Sequence, residues 1–244
     1  MEAVPKIVHQ IWLGKAVKPA IWMHSVTDFC SDYGYKYMLW TDSNIGELGL
    51  EAQGLKPLFD AQKFEGKADI IRLLVLYKFG GIYIDADTVI TKPAKFADFL
   101  EKNKAAVFFG WEDLTTARSK KVGKVDGSYL KRLVANGLIG SWPRHAFIQT
   151  LLERIVGNAA AEKDMAAWKA VGPLFVTRIY NEKKDWFPDV QIYPMKFFYP
   201  IHWGGITDPE YHKKIKLPAE SMLFQYGYTT NKFGTAFWEE RNGL

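Results

Sequence analysis

The sequence predicts an α/β fold, in which helices flank a sheet. The prediction rests on residues 67–90, KADIIRLLVLYKFGGIYIDADTVI. Residues 70–79 are apolar on nearly all sides, which is typical of a buried helix. Gly80-Gly81 ends that helix, because glycine tolerates a left-handed backbone. Residues 82–84 form a short β-prone run, which predicts a central strand buried on both faces.

The other elements follow from apolar periodicity. Residues 112–126 are polar and without periodicity, so we expect an exposed loop there. Residues 44–66 predict a loop-rich connection that holds a short helix. The remaining strands are expected at 6–14, 35–40, 105–111 and 190–193, and the remaining helices at 19–30, 96–100, 145–156 and 174–181.

Length and composition predict one globular domain. The chain has 244 residues, of which 48% are hydrophobic, enough to bury a large core. The first residues lack the pattern of a signal peptide, and no stretch approaches the ~20 apolar residues of a membrane span. Cys30 is the only cysteine, so no intrachain disulfide can form. We therefore expect a cytoplasmic protein with at most peripheral membrane contact.

The charge does not indicate a nucleic-acid binder. The net charge is +5 and the pI is about 9.0. The basic residues are scattered along the chain rather than gathered in a dense patch, which nucleic-acid binding requires. A solvated surface explains them, and so would a phosphate-rich substrate or an anionic membrane face.

Two aspartates follow the predicted central strand. Asp85 and Asp87 are two residues apart, so on an extended chain their carboxylates point the same way. A hard divalent cation bound through oxygen would offset their repulsion. Ligands of open α/β sheets bind at the carboxyl ends of strands, which favours this interpretation. A turn or a solvated surface is the alternative.

Asp69 and Arg72 share one face of the predicted helix, because they are three residues apart. Either they form a local ion pair near the helix start, or both reach into the cleft at the end of the strand.

Residues 68–87, A-D-I-I-R-L-x-x-L-Y-x-F-G-G-I-Y-I-D-A-D, resemble the core motif of the D-x-D glycosyltransferases of family 32. That family includes relatives of the yeast initiating α-1,6-mannosyltransferase and of capsular polysaccharide transferases. The resemblance implies a GT-A fold, a Rossmann-like mixed sheet with flanking helices, over the single domain 1–244. It further implies a nucleotide-sugar-binding half up to about residue 110 and an acceptor half at 111–244 that ends in a lid.

The resemblance also implies roles for single residues. Asp85 and Asp87 would hold Mn²⁺ or Mg²⁺ on the donor diphosphate, and Trp12, in a pattern similar to hQIWxG, would stack on the nucleotide base. Asn136 would lie close to the donor sugar, although Asn-Gly is also typical of a turn. Asp85, Asp87, Arg72 and Asn136 are thus the expected catalytic residues. The expected donor-binding residues are Trp12, Asp69, Arg72 and Asp85.

The C-terminal region departs from the family pattern. The family commonly has a histidine that completes the metal sphere, and Gln225 stands in its place. Its amide oxygen can bind Mg²⁺ or Mn²⁺ more weakly, so we expect a metal site of Asp85, Asp87 and Gln225. Residues 221–244 are rich in glycine, threonine and aromatics and predict a lid over the donor.

We therefore expect a metal-dependent glycosyltransferase. It would move a sugar from a UDP- or GDP-sugar to a hydroxyl of a glycan or lipid-linked glycan. The resemblance implies retention of the anomeric configuration, and no general base can be assigned from the residues. The alternatives are a phosphohydrolase that uses the same aspartates, and a protein that binds or hydrolyses sugar nucleotides without transferring the sugar.

Overall fold

The computed structural model describes residues 3–114, 124–125, 128–129, 131–162, 165–201 and 217–225. Its centre is a six-stranded sheet in which only the fourth strand in spatial order runs antiparallel to its neighbours. The carboxyl ends of the other five strands therefore lie at one edge. In spatial order the strands are β2 (Lys36–Trp40), β1 (Ile7–Ile11), β3 (Gly81–Ile84), β8 (Arg132–Ser141), β5 (Val107–Asp113) and β9 (Val190–Tyr193).

Helices cover both faces of the sheet, and the predicted α/β architecture is confirmed. Tyr83 packs in one buried cluster, whereas Ile82 and Ile84 pack in another, as alternation along a strand requires. The first cluster includes helices α3 (Phe64–Phe79), α5 (Ala146–Glu162) and α7 (Pro173–Lys183), and the second includes α1 (Ala20–Tyr33), α4 (Pro93–Lys102) and α8 (Met195–Phe198).

Short elements complete the fold. Two-stranded pairs form between β4 (Thr88–Ile90) and β10 (Leu223–Gln225), and between β6 (Lys124–Val125) and β7 (Ser128–Tyr129). The helices α2 (Lys56–Ala61) and α6 (Ala167–Ala170) and the 3₁₀ turns Ile45–Leu48 and Lys184–Trp186 lie in the connections. Among the described helices, none combines the length and the apolar character that a membrane span requires.

The predicted buried helix and central strand are both confirmed. Helix α3 ends at Gly80, whose N–H donates to Leu76 O over 2.8 Å and whose φ is +62°. Gly81 follows with φ +95°, and a Cβ there would lie 2.5 Å from Ile7 O of β1. Glycine at this position therefore lets β1 and β3 come together.

Strand β8 is irregular beside the end of β3. Its pairing with β5 shifts between Phe108–Gly140 and Gly110–Ala135, so that Phe109 alone lies opposite residues 136–139. Asn136 and Gly137 lie within this irregular part of the strand. The interpretation of Asn-Gly as a turn is therefore wrong.

The reason given for the convergence of Asp85 and Asp87 is also wrong. Strand β3 ends at Ile84, and residues 85–87 form a turn in which the N–H of Thr88 donates to Asp85 O over 3.1 Å. The chain is therefore not extended between the two aspartates.

Three sequence predictions are not tested by the described residues, or are tested only in part. Most of the loop expected at 112–126 and residues 226–244 of the expected lid are outside the described residues. The boundary expected near residue 110 between a donor half and an acceptor half falls within β5. That division stays a prediction.

Candidate active site

The turn that carries the two aspartates is attached to two other strands. The N–H of Asp85 donates to Gly137 O of β8 over 2.8 Å. The side chain of Gln10 on β1 donates through Nε2 to Asp85 O over 3.2 Å, and its Oε1 accepts a hydrogen bond from Tyr37. The backbone of Asp85 is thus held at the carboxyl edge of the sheet from both sides.

The Asp85 carboxylate is oriented by two buried groups. The hydroxyl of Tyr83 donates to Oδ1 over 2.6 Å, and Nη2 of Arg72 lies 3.3 Å from the same oxygen. Burial raises the pKa of Tyr83 well above its ordinary value. The nearby charge of Arg72 lowers this pKa, and the Asp85 carboxylate raises it. Tyr83 therefore stays a hydrogen-bond donor at physiological pH.

Arg72 is buried among acceptors. Its Nη2 lies 3.0 Å from Asp69 Oδ1, its Nη1 donates to Asn136 O over 2.5 Å, and its guanidinium lies 4.5 Å from the centroid of the Tyr83 ring. Burial lowers its pKa, but Asp85, Tyr83 and Asp69 outweigh burial and raise the pKa above the ordinary value. Arg72 is therefore a permanent cation.

Asp69 is fixed behind Arg72. It is 6% exposed, and its Oδ1 also accepts a hydrogen bond of 2.8 Å from Asn136 Nδ2. Burial raises its pKa to about 6, while Arg72 opposes the rise. Asp69 and Arg72 thus form an ion pair that is buried and adjoins the cleft, which combines the two interpretations of the sequence. A direct contact of either residue with a donor sugar stays a prediction.

Gln225 lies beside both carboxylates of the D-x-D motif. It ends strand β10, where it pairs with Thr88 of β4. Its Nε2 donates to Asp85 Oδ2 over 3.0 Å and to Asp87 Oδ1 over 3.2 Å. This is the place that the sequence analysis expected, and a role as metal ligand stays a prediction.

The donor set fits a hard divalent cation. One oxygen from each of Asp85 and Asp87 converges on a single amide group, and a half-turn of the Gln225 amide would present Oε1 instead of Nε2. Carboxylate and amide oxygens are the ligands that Mg²⁺ and Mn²⁺ prefer. The described residues contain no group of three or more His, Cys, Asp or Glu that could hold a metal. Bound substrate and water would supply further ligands.

Gly137 leaves the space that the Asp85 carboxylate occupies. A Cβ at this position would lie 2.6 Å from Asp85 Oδ2 and 3.4 Å from Gln225 Nε2. Sequence reasoning missed this role. The available signal was a glycine inside a strand, which often marks a close approach of another group.

Trp12 lies at the same edge of the sheet, directly after β1. Its N–H donates to Trp40 O over 2.8 Å, and its indole Nε1 donates to Ala16 O over 2.8 Å. These bonds fix a half-buried indole in the loop that follows the strand. Stacking on a nucleotide base stays a prediction.

Sequence reasoning also missed residues that support the site. Thr177 Oγ accepts from the N–H of Val134 over 2.8 Å, and the Tyr199 hydroxyl accepts from the N–H of Leu138 over 2.6 Å. Both bonds hold β8 on either side of Asn136. For Tyr83 a signal was available, because a hydroxyl in a fully buried strand needs a partner.

Comparisons of the sequence point to one group of proteins. Residues 20–106 match the family model for the glycosyltransferase sugar-binding region containing a DXD motif. Inositol phosphoceramide mannosyltransferase 2 of Schizosaccharomyces pombe is 28% identical over 193 residues, 76% of this chain and 49% of the relative. Mannosyl phosphorylinositol ceramide synthase SUR1 of Saccharomyces cerevisiae is 27% identical over 195 residues, 76% and 44% respectively. The chain spans about half the length of these curated relatives.

Comparisons of the structure agree on the fold. PaToxG glycosyltransferase superposes with a TM-score of 0.51 at 20% identity, over 75% of this chain and 70% of that one. A glycosyltransferase involved in glycosylation of the major capsid of PBCV-1 superposes with a TM-score of 0.50 at 11% identity, over 95% and 100%. These likenesses confirm the predicted GT-A fold.

Proposed function

We propose, on the match of residues 20–106 to a glycosyltransferase sugar-binding region with a D-x-D motif, that the chain transfers a sugar from a nucleoside diphosphate sugar to an acceptor hydroxyl. One observation carries the proposal: the carboxylates of Asp85 and Asp87 converge at the carboxyl edge of the sheet. In the reaction the bond from the sugar C1 to the phosphate oxygen breaks, and a bond from C1 to the acceptor oxygen forms. The hydroxyl proton passes to the departing diphosphate.

The protein's part in this reaction is to hold charge in place. Mn²⁺ or Mg²⁺, held by Asp85, Asp87 and the amide of Gln225, would stabilise the negative charge that gathers on the leaving diphosphate. Tyr83 and Arg72 fix the direction of the Asp85 carboxylate before any ligand binds. Such preorganisation avoids the cost of reorienting polar groups during the reaction.

The remaining residues would position the donor. Trp12 would stack on the base, as its place after β1 and its fixed indole support. Asn136, whose amide is oriented by Asp69, would face the sugar. The family resemblance supports retention of configuration as part of the proposal, and a departing diphosphate that takes the acceptor proton needs no separate general base.

The relatives guide the choice of substrates. Two yeast relatives are named as enzymes of inositol phosphoceramide mannosylation, and a human relative, 24% identical over 166 residues, is named an α-1,4-N-acetylglucosaminyltransferase. The proposed donor is therefore a GDP- or UDP-sugar, and the proposed acceptor a glycan or lipid-linked glycan. A cytoplasmic location, at most peripheral to a membrane, belongs to the same proposal.

A panel of UDP- and GDP-sugars tests the proposal. Nucleoside diphosphate release is measured with and without acceptor, in Mn²⁺ and in chelator. We expect release with one donor class, in metal only, and a loss of about 10²-fold in Asp87→Asn, comparable to losing one preorganised electrostatic group. Asp98→Asn is the matched control, because Asp98 is an exposed carboxylate on α4 that pairs with Lys102.

Three outcomes would contradict parts of this proposal. Binding of a sugar nucleotide without transfer would favour a sugar-nucleotide-binding protein, and release that no acceptor alters would favour a hydrolase. Full activity in chelator would contradict the proposed dependence on a metal ion. Failure of every donor to bind would overturn the proposed function.

A further inference from the structure

The irregular stretch of β8, residues 136–138, is held by groups other than the neighbouring strand β5. Phe109 alone lies opposite it, so the regular pairing with β5 is interrupted there. The backbone groups of a buried stretch need other partners, because a buried N–H or C=O group without one is costly. An irregular stretch of strand beside an active site can in this way aim groups that a regular strand could not.

Two backbone oxygens of the irregular stretch hold residues of the candidate site. Asn136 O accepts from Nη1 of Arg72 over 2.5 Å. Gly137 O accepts from the N–H of Asp85 over 2.8 Å. The side chain of Asn136 adds a hydrogen bond of 2.8 Å to Asp69. The position of the irregular stretch therefore determines where Arg72 and Asp85 lie.

The last residue of the irregular stretch is anchored by a tyrosine. The N–H of Leu138, which has no paired residue in β5, donates to the hydroxyl of Tyr199 over 2.6 Å. Tyr199 directly follows helix α8, and its ring lies against Gly110 of β5, where a Cβ would come within 2.8 Å of the Tyr199 Cε2 atom. Leu138 is 1% exposed and Tyr199 is 6% exposed, so water has little access to replace this bond.

The hydroxyl of Tyr199 is a neutral acceptor. Burial raises the pKa of Tyr199 well above its ordinary value. The charge of Asp85 also raises this pKa, and the hydrogen bond from Leu138 lowers it. Tyr199 therefore stays uncharged at physiological pH. The substitution Tyr199→Phe accordingly removes the hydrogen-bond acceptor and leaves the ring and the net charge unchanged.

We propose that Tyr199 is a positioning residue of the transfer reaction. By accepting the N–H of Leu138 it fixes the irregular stretch, and through that stretch it fixes the two backbone oxygens that hold Arg72 and Asp85. It acts through β8 and not by contact with a substrate. This inference rests on the proposed function, because the position of Asp85 matters for catalysis only if Asp85 takes part in the transfer.

Amide hydrogen exchange of the metal-free protein, followed by NMR, tests the geometric step. In wild type the amide of Leu138 should be protected although it has no paired residue in β5. In Tyr199→Phe the amides of Leu138 and Asp85 should exchange about tenfold faster or more, since the loss of the first hydrogen bond loosens the second. The amide of Trp142, which donates to Ala106 O over 2.9 Å just beyond the other end of β8, should keep its wild-type rate.

Metal binding and turnover test the consequence for the site. The Mn²⁺ affinity of Tyr199→Phe, measured by calorimetry with nucleoside diphosphate present, should fall about tenfold or more. At saturating Mn²⁺ the kcat of donor turnover should fall, while the KM for the donor changes less. Two controls should bind Mn²⁺ as wild type does: Ile155→Val, which removes one buried carbon from α5, and Tyr193→Phe, which removes a hydroxyl bonded to Asn103.

The outcomes separate the positioning role from a purely structural one. Faster exchange of Asp85 together with weaker Mn²⁺ binding in Tyr199→Phe supports the proposal. Wild-type exchange and wild-type affinity in a folded Tyr199→Phe protein overturn it, and so does an equal loss of affinity in Ile155→Val, which would make the effect one of stability. If Tyr199→Phe does not fold, the wild-type protein decides: protection of the Leu138 amide supports the proposal, and fast exchange overturns it.

The same measurements separate this proposal from the proposed function, because the exchange experiment needs neither donor nor metal. Donor turnover with wild-type kcat in Tyr199→Phe overturns the positioning role alone. Faster exchange of Asp85 in a variant of a protein that turns over no donor overturns the proposed function, and with it the role of Tyr199 in catalysis.

Discussion

The hydroxyl of Tyr83 donates a hydrogen bond of 2.6 Å to Oδ1 of Asp85, two residues further along the chain. Tyr83 is 1% exposed, whereas Asp85 lies beyond the strand end, half-buried at the cleft. A side chain of the buried core thus contacts a residue of the site directly. With Oδ1 engaged by Tyr83 and Arg72, Oδ2 is the oxygen that faces Gln225.

Tyr83→Phe is expected to weaken metal binding more than it weakens the fold. A hydrogen bond to a charged group contributes roughly 1.5–3 kcal/mol, which corresponds to about 10- to 150-fold in affinity. We expect a loss of at least tenfold in Mn²⁺ affinity, measured by calorimetry with nucleoside diphosphate present. Tyr193→Phe removes a hydroxyl that donates to Asn103 Oδ1 over 2.7 Å, and it should bind Mn²⁺ as wild type does. Equal affinities in the two variants would contradict the orienting role.

Gly137→Ala is expected to disturb the site from the opposite side. Its new Cβ would meet Asp85 Oδ2 at 2.6 Å, so the carboxylate has to move. We expect nucleotide-dependent Mn²⁺ binding to fall tenfold or more, and the free energy of unfolding to fall by roughly 1–3 kcal/mol, as is usual for overpacking.

A second glycine provides the control for Gly137. Gly157 lies on helix α5, and a Cβ added there would have no neighbouring atom within 4 Å, so Gly157→Ala should keep metal binding and gain up to ~1 kcal/mol in stability. If Gly137→Ala binds Mn²⁺ as tightly as Gly157→Ala, the carboxylate does not need the space that Gly137 leaves.

His9 is a buried histidine whose tautomer is fixed by its partners. Its Nε2 donates to Gly80 O over 2.9 Å, and its Nδ1 accepts from the indole of Trp40 over 3.1 Å. A carbonyl only accepts and an indole only donates, so the ring is neutral with its proton on Nε2. Burial lowers the pKa of His9 to about 4.

This lowered pKa predicts a loss of stability in weak acid. The unfolded chain takes up a proton at His9 below about pH 6.5, whereas the folded chain takes it up only near pH 4. Between pH 7 and pH 5 the contribution of His9 to the free energy of unfolding should therefore fall by about 2 kcal/mol. Asp69, with its pKa raised to about 6, acts in the opposite direction, so a variant is needed to isolate His9.

The free energies of unfolding of wild type and variants are compared by urea unfolding at pH 7 and pH 5. His9→Gln should be less stable than wild type at pH 7, and the difference should narrow by about 2 kcal/mol at pH 5. His24→Gln removes an exposed histidine of α1 and should follow wild type at both values. A stability difference between wild type and His9→Gln that stays constant with pH would show that His9 does not titrate as its burial implies.

Local patterns predicted the parts of the fold that depend on local chemistry. Apolar runs predicted the buried helix α3 and the buried strand β3, and the conformational freedom of Gly80-Gly81 predicted the end of the helix. The structure confirms all three. The irregular part of β8 could not be predicted in this way, because it depends on pairing with β5 and β3, which are distant in sequence. The local sequence Asn136-Gly137 therefore indicated a turn, although both residues lie within a strand.

The candidate site also has residues that local patterns predicted and residues that they did not. Asp69, Arg72, Asp85 and Asp87 stand within one local motif, and the structure brings them together. The support from Gln10 and Gly137 depends on how β1 and β8 pass the end of β3, which no local pattern encodes. For Gln225 the family resemblance supplied what local patterns could not.

The last prediction concerns Gln225 and the metal. Its amide is a neutral ligand, so Asp85, Asp87 and the donor diphosphate should provide most of the binding energy. Mn²⁺ affinity should accordingly be poor without nucleotide and rise sharply when nucleoside diphosphate is added. Gln225→His should strengthen nucleotide-free Mn²⁺ binding, because a neutral imidazole is a better ligand for this ion than an amide.

Titrations of Mn²⁺ at pH 8, with and without nucleoside diphosphate, measure this effect. Gln149→His is the matched control, since Gln149 lies exposed on α5 with its amide bonded to Glu153, far along the chain from the D-x-D motif. The gain should appear in Gln225→His alone and be larger without nucleotide, because the diphosphate then no longer supplies competing oxygens. If the affinities of Gln225→His match those of wild type under both conditions, the hydrogen bonds of Gln225 to Asp85 and Asp87 do not mark a metal ligand.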